Sequence, residues 1–78
     1  TFSMYLQNIP IGSSVIIESF SVVNEVTKRL NEMGIMIGTK VKVVRKSPFN
    51  GPVIIEYNYH KIAIRCSKEF QISVRFGS

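Results

Sequence analysis

The chain has few of the side chains from which active sites are built. Its 78 residues include one cysteine, one histidine and five acidic residues, all of them glutamate. Because Cys66 is the single cysteine, it cannot form a disulfide within the chain. The glutamates are scattered, and no two have a local spacing that would bring paired carboxylates into one site. The composition therefore predicts a protein without catalytic residues.

Metal and phosphate motifs are also missing. His60 and Cys66 stand six residues apart, a spacing that matches no common zinc motif. Gly34 and Gly38 connect a predicted helix to a predicted strand, whereas a P-loop connects a strand to a helix and ends in Gly-Lys-Ser or Gly-Lys-Thr. We therefore predict an exposed His60, a buried Cys66, and neither a metal site nor a bound cofactor.

Long apolar segments are absent as well. The longest apolar run lies around residues 53–55, whereas a membrane-spanning helix needs about 20 apolar residues. No basic segment followed by a long apolar one marks a secretory signal. These absences predict a cytoplasmic protein that reaches the inner membrane only peripherally, through a partner.

Basic side chains, by contrast, are concentrated in one half of the chain. The net charge is +5. Residues 1–37 carry two basic and three acidic side chains, whereas residues 38–78 carry eight basic and two acidic ones. Such asymmetry is typical of a surface that meets an acidic protein, a phospholipid or a nucleic acid. Solvated lysines on the outer face of a sheet would produce the same asymmetry.

The hydrophobic pattern predicts one small, mainly β domain that comprises residues 1–78. Apolar residues, most of them valine and isoleucine, alternate with polar or small ones in several segments, and a period of two residues is the pattern of strands with one buried face. The five predicted strands are 14–20, 39–46, 53–57, 61–65 and 71–76. Because an open sheet of this size would expose its edges, we expect a closed or nearly closed barrel.

Between the first two predicted strands, the period changes to that of a helix from about Ser21 to Met33. The apolar stripe of this helix consists of Val22, Val26, Leu30 and Met33. Ser21 is the predicted N-cap, since serine accepts a hydrogen bond from the first free amides of a helix. We expect the apolar stripe to anchor the helix to the barrel.

Gly34 is predicted to end this helix, because glycine adopts the left-handed backbone conformation without steric cost. In that position it brings Ile35 against Leu30 across a Schellman cap. Met36 and Ile37 are then the apolar residues of the connection that the cap does not explain. They either plug the barrel or contact another molecule.

A second apolar side chain, Phe49, lies in a turn rich in proline, asparagine and glycine. Lys40 and Lys42 are predicted on the exposed face of the strand between the two turns. We predict that a partner protein binds to these residues, namely Met36, Ile37, Phe49, Lys40 and Lys42.

Glycines, prolines and aliphatic residues form a specific pattern along most of the chain. The pattern comprises Ile11-Gly12, Leu30, Met33-Gly34-Ile35, Gly38, Val41, Val43, Pro48, Gly51-Pro52-Val53-Ile54-Ile55, Ala63-Ile64-Arg65, Ile72 and Val74. In this pattern the chain resembles the ferrous iron transport protein A (FeoA) family, whose members are SH3-like barrels. The resemblance implies such a barrel, with about five strands and one α-helix between the first and second. Family members commonly have leucine at position 33, proline at position 37 and a small residue at position 70, where this chain has Met33, Ile37 and Phe70.

The resemblance also implies a function. FeoA proteins are non-enzymatic accessory proteins of bacterial ferrous iron uptake, and the implied partner is the cytoplasmic G-protein domain of the FeoB permease. The same barrel resembles the C-terminal domain of DtxR-type repressors, so a free-standing regulatory domain is an alternative. A small nucleic-acid-binding barrel is another, because Tyr57 and Tyr59 flank a turn in the basic half and could stack on bases. We expect a monomer or a weak homo-oligomer.

Overall fold

The computed structural model describes residues 4–48, 51–67 and 69–77. Its elements are β1 (Met4–Tyr5), a 3-10 turn (Leu6–Asn8), β2 (Ser14–Phe20), α1 (Glu25–Glu32), β3 (Lys40–Lys46), β4 (Val53–Tyr57), β5 (His60–Ile64) and β6 (Ile72–Phe76). The strands pair antiparallel in one sheet, in the order β1-β6-β2-β3-β4-β5. The predicted mainly β fold, with one helix between the first two long strands, is confirmed.

The short strand β1 is the element that the sequence prediction missed. It pairs with β6, where Met4 lies opposite Val74, and it brings the number of strands in the described residues to six rather than five. Two residues are too few to show a period of two, so no pattern marked this strand. The 3-10 turn that follows β1 leads into the core, where Leu6 and Ile9 are fully buried.

The alternation predicted for the strands is confirmed by their burial. On β3, Val41 and Val43 are at most 2% exposed, whereas Lys40 and Lys42 are exposed. Phe70, at a position for which the resemblance implies a small residue, is buried in the core just before β6. The buried core consists of Leu6, Ile9, Val15, Ile17, Leu30, Ile35, Val41, Val43, Val53, Ile55, Ile64, Cys66, Phe70, Ile72 and Val74.

The helix begins at Glu25, later than predicted, and Ser21 is not its N-cap. Asn24 caps it, because its Oδ1 accepts hydrogen bonds from the backbone amides two and three residues further on, at 2.9 and 3.1 Å. Ser21 instead extends the pairing between β2 and β6. Its N–H donates to the carbonyl of Gln71, and its hydroxyl accepts from the N–H of Gln71, both at 2.8 Å. With these groups engaged by the sheet, Ser21 cannot start the helix.

The predicted apolar stripe of the helix is wrong for three of its four residues. Val22, Val26 and Met33 are 42%, 43% and 44% exposed, and only Leu30 is buried. Thr27 is the second buried helical residue, and its hydroxyl donates to the carbonyl of Val22 at 3.0 Å. The reason is the length of α1. With eight residues, it contacts the core through the single turn that carries Thr27 and Leu30, and the rest of the stripe faces solvent.

The predicted end of the helix is confirmed. Gly34 has φ +92°, and its N–H donates to the carbonyl of Asn31 at 3.0 Å. The N–H of Ile35 donates to the carbonyl of Leu30 at 2.9 Å, and the Ile35 side chain is fully buried. These two hydrogen bonds define a Schellman cap. The cap fixes the direction in which the chain leaves α1 toward β3.

Candidate functional site

The connection between α1 and β3, which we call the α1–β3 turn (residues 34–39), presents two apolar side chains from a hydrogen-bonded backbone. The N–H of Thr39 donates to the carbonyl of Met36 at 3.0 Å, and the Thr39 hydroxyl oxygen accepts from the N–H of Met36 at 3.1 Å. The N–H of Gly38 donates to a carbonyl of β2 at 2.7 Å. Met36 is 48% exposed and Ile37 is 65% exposed. Both side chains therefore project into solvent from a turn that is tied to the sheet.

The alternative interpretation of these side chains, as plugs of the barrel, is wrong. Ile35 is fully buried, whereas Met36 and Ile37 are exposed. The cap residue Ile35 belongs to the core together with Leu30, toward which the Schellman geometry directs it. Burial in the core therefore does not account for the two apolar residues that follow.

Lys40 and Lys42 lie on the outer face of β3, directly after the turn, and both are exposed. Glu56 of β4 lies opposite Lys42 in the sheet. In the part of the chain that the structure describes, the ion pair within 4 Å is the one between Glu18 and Arg75, at 3.6 Å. Neither lysine is thus neutralised there by a close carboxylate, and both are exposed to solvent.

The strand register adds two basic residues that the sequence reasoning missed. Glu56 has Lys42 opposite it on β3 and Lys61 opposite it on β5. Arg45 and Lys61 line one shallow hollow over the same face, and both are exposed. We call the face formed by Lys40, Lys42, Arg45 and Lys61 the basic outer face. The register of β5 against β4 could have been inferred from the sequence, because the two-residue turn between these strands fixes it.

The remaining aromatic candidates are Phe49, Tyr57 and Tyr59, of which the structure describes the two tyrosines. Phe49 lies outside the described residues, so its role in partner binding stays a prediction. Tyr59 is 95% exposed at the tip of the β4–β5 hairpin. Tyr57 is half-buried against Gly34, where an added Cβ would lie 3.2 Å from the tyrosine hydroxyl. The two tyrosines therefore do not form a pair of exposed rings on which successive bases could stack.

The chemistry available in the described residues is limited. No three His, Cys, Asp or Glu side chains among residues 4–48, 51–67 and 69–77 lie together as a metal-binding group. His60 is exposed and Cys66 is buried, as predicted. Burial raises the pKa of the Cys66 thiol from 9.0 to about 11, so the thiol is protonated at neutral pH. No helix in the described part of the chain is long and apolar enough to cross a membrane.

Comparison with solved structures supports the fold. The solution structure of a FeoA protein from Chlorobium tepidum matches with a TM-score of 0.82 and 25% identity, over 96% of this chain and 71% of that one. A FeoA-like protein from Clostridium acetobutylicum matches with a TM-score of 0.74 and 24% identity, over 97% and 88% of the two chains. Iron(II) transport protein A from Clostridium thermocellum matches with a TM-score of 0.72 and 22% identity, over 91% and 45%.

Comparison of the sequence itself gives the family. A search of curated proteins finds no significant match. The model of the FeoA domain matches residues 4–75. This range includes the helix, the Gly34 cap and all of the strands except the last residue of β6. This chain therefore belongs to the FeoA domain family.

Proposed function

We propose that this chain is a non-enzymatic accessory protein of bacterial ferrous iron uptake and that it docks on the cytoplasmic G-protein domain of a FeoB-type permease. Membership of the FeoA family indicates a role in ferrous iron transport, and one structural neighbour is named iron(II) transport protein A. On this proposal the protein is cytoplasmic and reaches the inner membrane only through the permease.

The observation that carries the docking proposal is the pair of exposed apolar side chains on the α1–β3 turn. Interfaces obtain most of their affinity from a few desolvated anchors surrounded by a polar rim. Met36 and Ile37 are such anchors, and their backbone is already fixed by hydrogen bonds to Thr39 and β2. A partner that covers them has little loop entropy to overcome.

Lys40 and Lys42 supply the rim of this surface. Exposed charges mainly set the rate and the salt dependence of association, whereas buried apolar anchors set the dissociation rate. The two kinds of side chain therefore have separable roles, and substitutions can be designed to affect one without the other. Phe49 is the remaining predicted contact residue.

The test measures binding of the purified G-protein domain of a FeoB-type permease by isothermal titration calorimetry. Complete burial of such side chains contributes about 1.5–3 kcal/mol each, and Met36 and Ile37 have roughly half to two-thirds of their surface left to bury. Their joint change to alanine should weaken binding by about 2–3.5 kcal/mol, or roughly 30- to 300-fold. Phe49→Ala tests the third apolar residue.

The matched control is Val23→Ala, because Val23 is 88% exposed just before α1 and away from the turn. It should bind as the unmodified protein does. Far-ultraviolet circular dichroism should be the same for the Met36→Ala/Ile37→Ala variant, the Val23→Ala variant and the unmodified protein, since none of these three side chains belongs to the core. Equal affinity of the Met36→Ala/Ile37→Ala variant and the unmodified protein would remove this surface from the proposal.

A second candidate, nucleic-acid binding, is favoured by the basic outer face. Titration of labelled RNA and DNA at two salt concentrations distinguishes it from protein docking. Binding tighter than roughly micromolar at physiological salt, with a steep salt dependence, lies outside the usual non-specific range. That result would favour the nucleic acid over the permease as the partner of Lys40 and Lys42.

A further inference from the structure

Within the part of the chain that the structure describes, strand β5 is an edge of the sheet, because β4 is its one neighbour in the strand order. The β4–β5 hairpin turns through Asn58 and Tyr59, which have φ 53° and 68°, and Tyr57 pairs with His60. In a two-residue hairpin the pair next to the turn is a hydrogen-bonded pair, and such pairs alternate with non-hydrogen-bonded ones along the strands. His60, Ile62 and Ile64 therefore bond to β4.

Lys61 and Ala63 consequently direct their backbone N–H and C=O groups away from the sheet. Among the described residues, no hydrogen bond from outside the strand reaches these groups. Their side chains, together with that of Arg65, are exposed on the outer face. In the described residues, the edge thus offers the free N–H and C=O groups of Lys61 and Ala63. These residues are two positions apart, which is the repeat at which an antiparallel strand forms its hydrogen bonds.

A groove runs along this edge, between β5 and α1. It has a volume of about 320 Å³ and is open to solvent, and its lining is Glu25, Val26, Arg29, Leu30, Met33, Ile62, Ala63, Ile64 and Arg65. The lining takes in both inward-facing and outward-facing residues of β5, so the groove follows the edge itself. A second hollow, beside Met33, Tyr57 and Ile62, lies next to it toward the hairpin turn. The half-exposed side chains of Val26 and Met33 form an apolar wall opposite the strand.

We infer that the edge of β5 binds an extended acidic segment of another protein, which adds to the sheet as an antiparallel strand. Residues opposite each other on adjacent strands have their side chains on the same face. Acidic residues four positions apart would therefore lie opposite Lys61 and Arg65. The residues next to those acids, on the other face of the added strand, would enter the groove beside Ile62 and Val26, so they should be apolar. The recognised pattern is acidic, apolar, any, apolar, acidic.

A second copy of this chain is a poor occupant of the same edge. Antiparallel pairing of β5 with itself about Ala63 would set Lys61 of one copy against Arg65 of the other, twice. Like charges directly opposite each other destabilise a strand pair, and charged side chains on edge strands are a common protection against self-association. The groove is lined by one acidic residue, Glu25, and by two basic residues, Arg29 and Arg65. The charge pattern therefore selects an acidic partner over a copy of the chain.

The experiment uses the full chain and a blocked heptapeptide with aspartate at positions 2 and 6, valine at positions 3 and 5, and threonine elsewhere. Addition of the peptide, followed by ¹H–¹⁵N correlation spectra, should shift the signals of β5 and α1 in a saturable way. Hydrogen exchange at the amides of Lys61 and Ala63 should slow at least tenfold, since these amides become bonded. A role of the groove in fold stability alone would not change these two amides.

Backbone methylation of the peptide separates strand addition from charge attraction. Methylation of the nitrogen at position 4, which faces Ala63, should weaken binding at least tenfold, whereas methylation at position 5, which faces away, should leave it unchanged. The charge-reversed variant Lys61→Glu/Arg65→Glu should lose the aspartate peptide and bind a peptide with lysine at positions 2 and 6. Lys40→Glu/Lys42→Glu carries the same change in net charge on β3 and should bind as the unmodified protein does.

Three results would overturn the inference. The first is the absence of signal shifts at millimolar peptide, and the second is equal affinity for the two methylated peptides. The third is a change in the β5 signals with protein concentration in the absence of peptide, which would identify a second copy as the occupant. The inference does not rest on the proposed function. The Met36→Ala/Ile37→Ala variant should retain the peptide, and Arg65→Glu, at a residue outside the basic outer face, should retain docking through the α1–β3 turn, so the two proposals fail separately.

Discussion

The shape of the α1–β3 turn depends on positive φ angles at two glycines, and substitution of these glycines tests that dependence. Gly34 and Gly38 have nearly equal positive φ angles, +92° and +94°. A Cβ at Gly34 would lie 3.2 Å from the hydroxyl oxygen of Tyr57, whereas a Cβ at Gly38 would meet no atom within 4 Å. The two alanine variants therefore share the backbone strain and differ in one side-chain contact.

The expected magnitudes follow from these two terms. Left-handed backbone costs a residue with a Cβ about 1–2 kcal/mol, so Gly38→Ala should lower the free energy of unfolding by that amount. Gly34→Ala adds the displacement of the Tyr57 ring, and moving a side chain off its preferred rotamer costs about 0.5–1.5 kcal/mol. Its total loss should be about 1.5–3.5 kcal/mol. In the Tyr57→Phe background, where the nearest atom is absent, the loss should fall toward that of Gly38→Ala.

Urea denaturation followed by circular dichroism measures these differences, and thermal unfolding provides a second measurement. For a domain of this size, each kcal/mol corresponds to a shift of about 4–8 °C in Tm. Unchanged stability of Gly38→Ala would refute the argument from positive φ. Equal losses at Gly34 and Gly38, in both the Tyr and the Phe background, would refute the argument from the Tyr57 contact.

Three further predictions concern the helix cap, the charges and the buried thiol. Asn24→Ala should lower the free energy of unfolding by about 1 kcal/mol in urea denaturation, because two helix amides lose their acceptor; an unchanged midpoint would contradict the assigned cap. Lys40→Glu/Lys42→Glu should slow association with the permease domain in stopped-flow measurements and reduce its salt dependence, with little change in dissociation. Cys66, whose pKa is raised by burial from 9.0 to about 11, should react slowly with iodoacetamide at pH 8. Because the unfolded thiol loses its proton first, stability should fall as the pH rises from 9 to 11, and this part of the pH dependence should be missing in Cys66→Ala.

The parts of the fold that local chemistry determines could be predicted from the sequence. The Gly34 cap is one, because C′ glycine, buried Ile35 and their hydrogen bonds all lie within one turn of chain. The start of α1 is the opposite case. Ser21 and Asn24 are equally acceptable N-caps by residue type, and the choice between them is made by Gln71, fifty residues away, which engages both polar groups of Ser21. No local pattern contains that information.

The candidate surfaces show the same division. Met36 and Ile37 could be singled out as candidates from the sequence, because the cap accounts for Ile35 but not for them. The edge at β5 could not, because a strand becomes an edge only through the pairing of the others. Here β6 lies beside β2 and not beside β5, although β5 is its nearest strand in the chain. Once that crossover is known, the hairpin register alone determines that Lys61 and Ala63 direct their backbone outward. Lys61 and the adjacent Arg65 then have a role that composition alone could not indicate. On our inference, they protect a free edge from copies of the same chain and leave it open to an acidic strand.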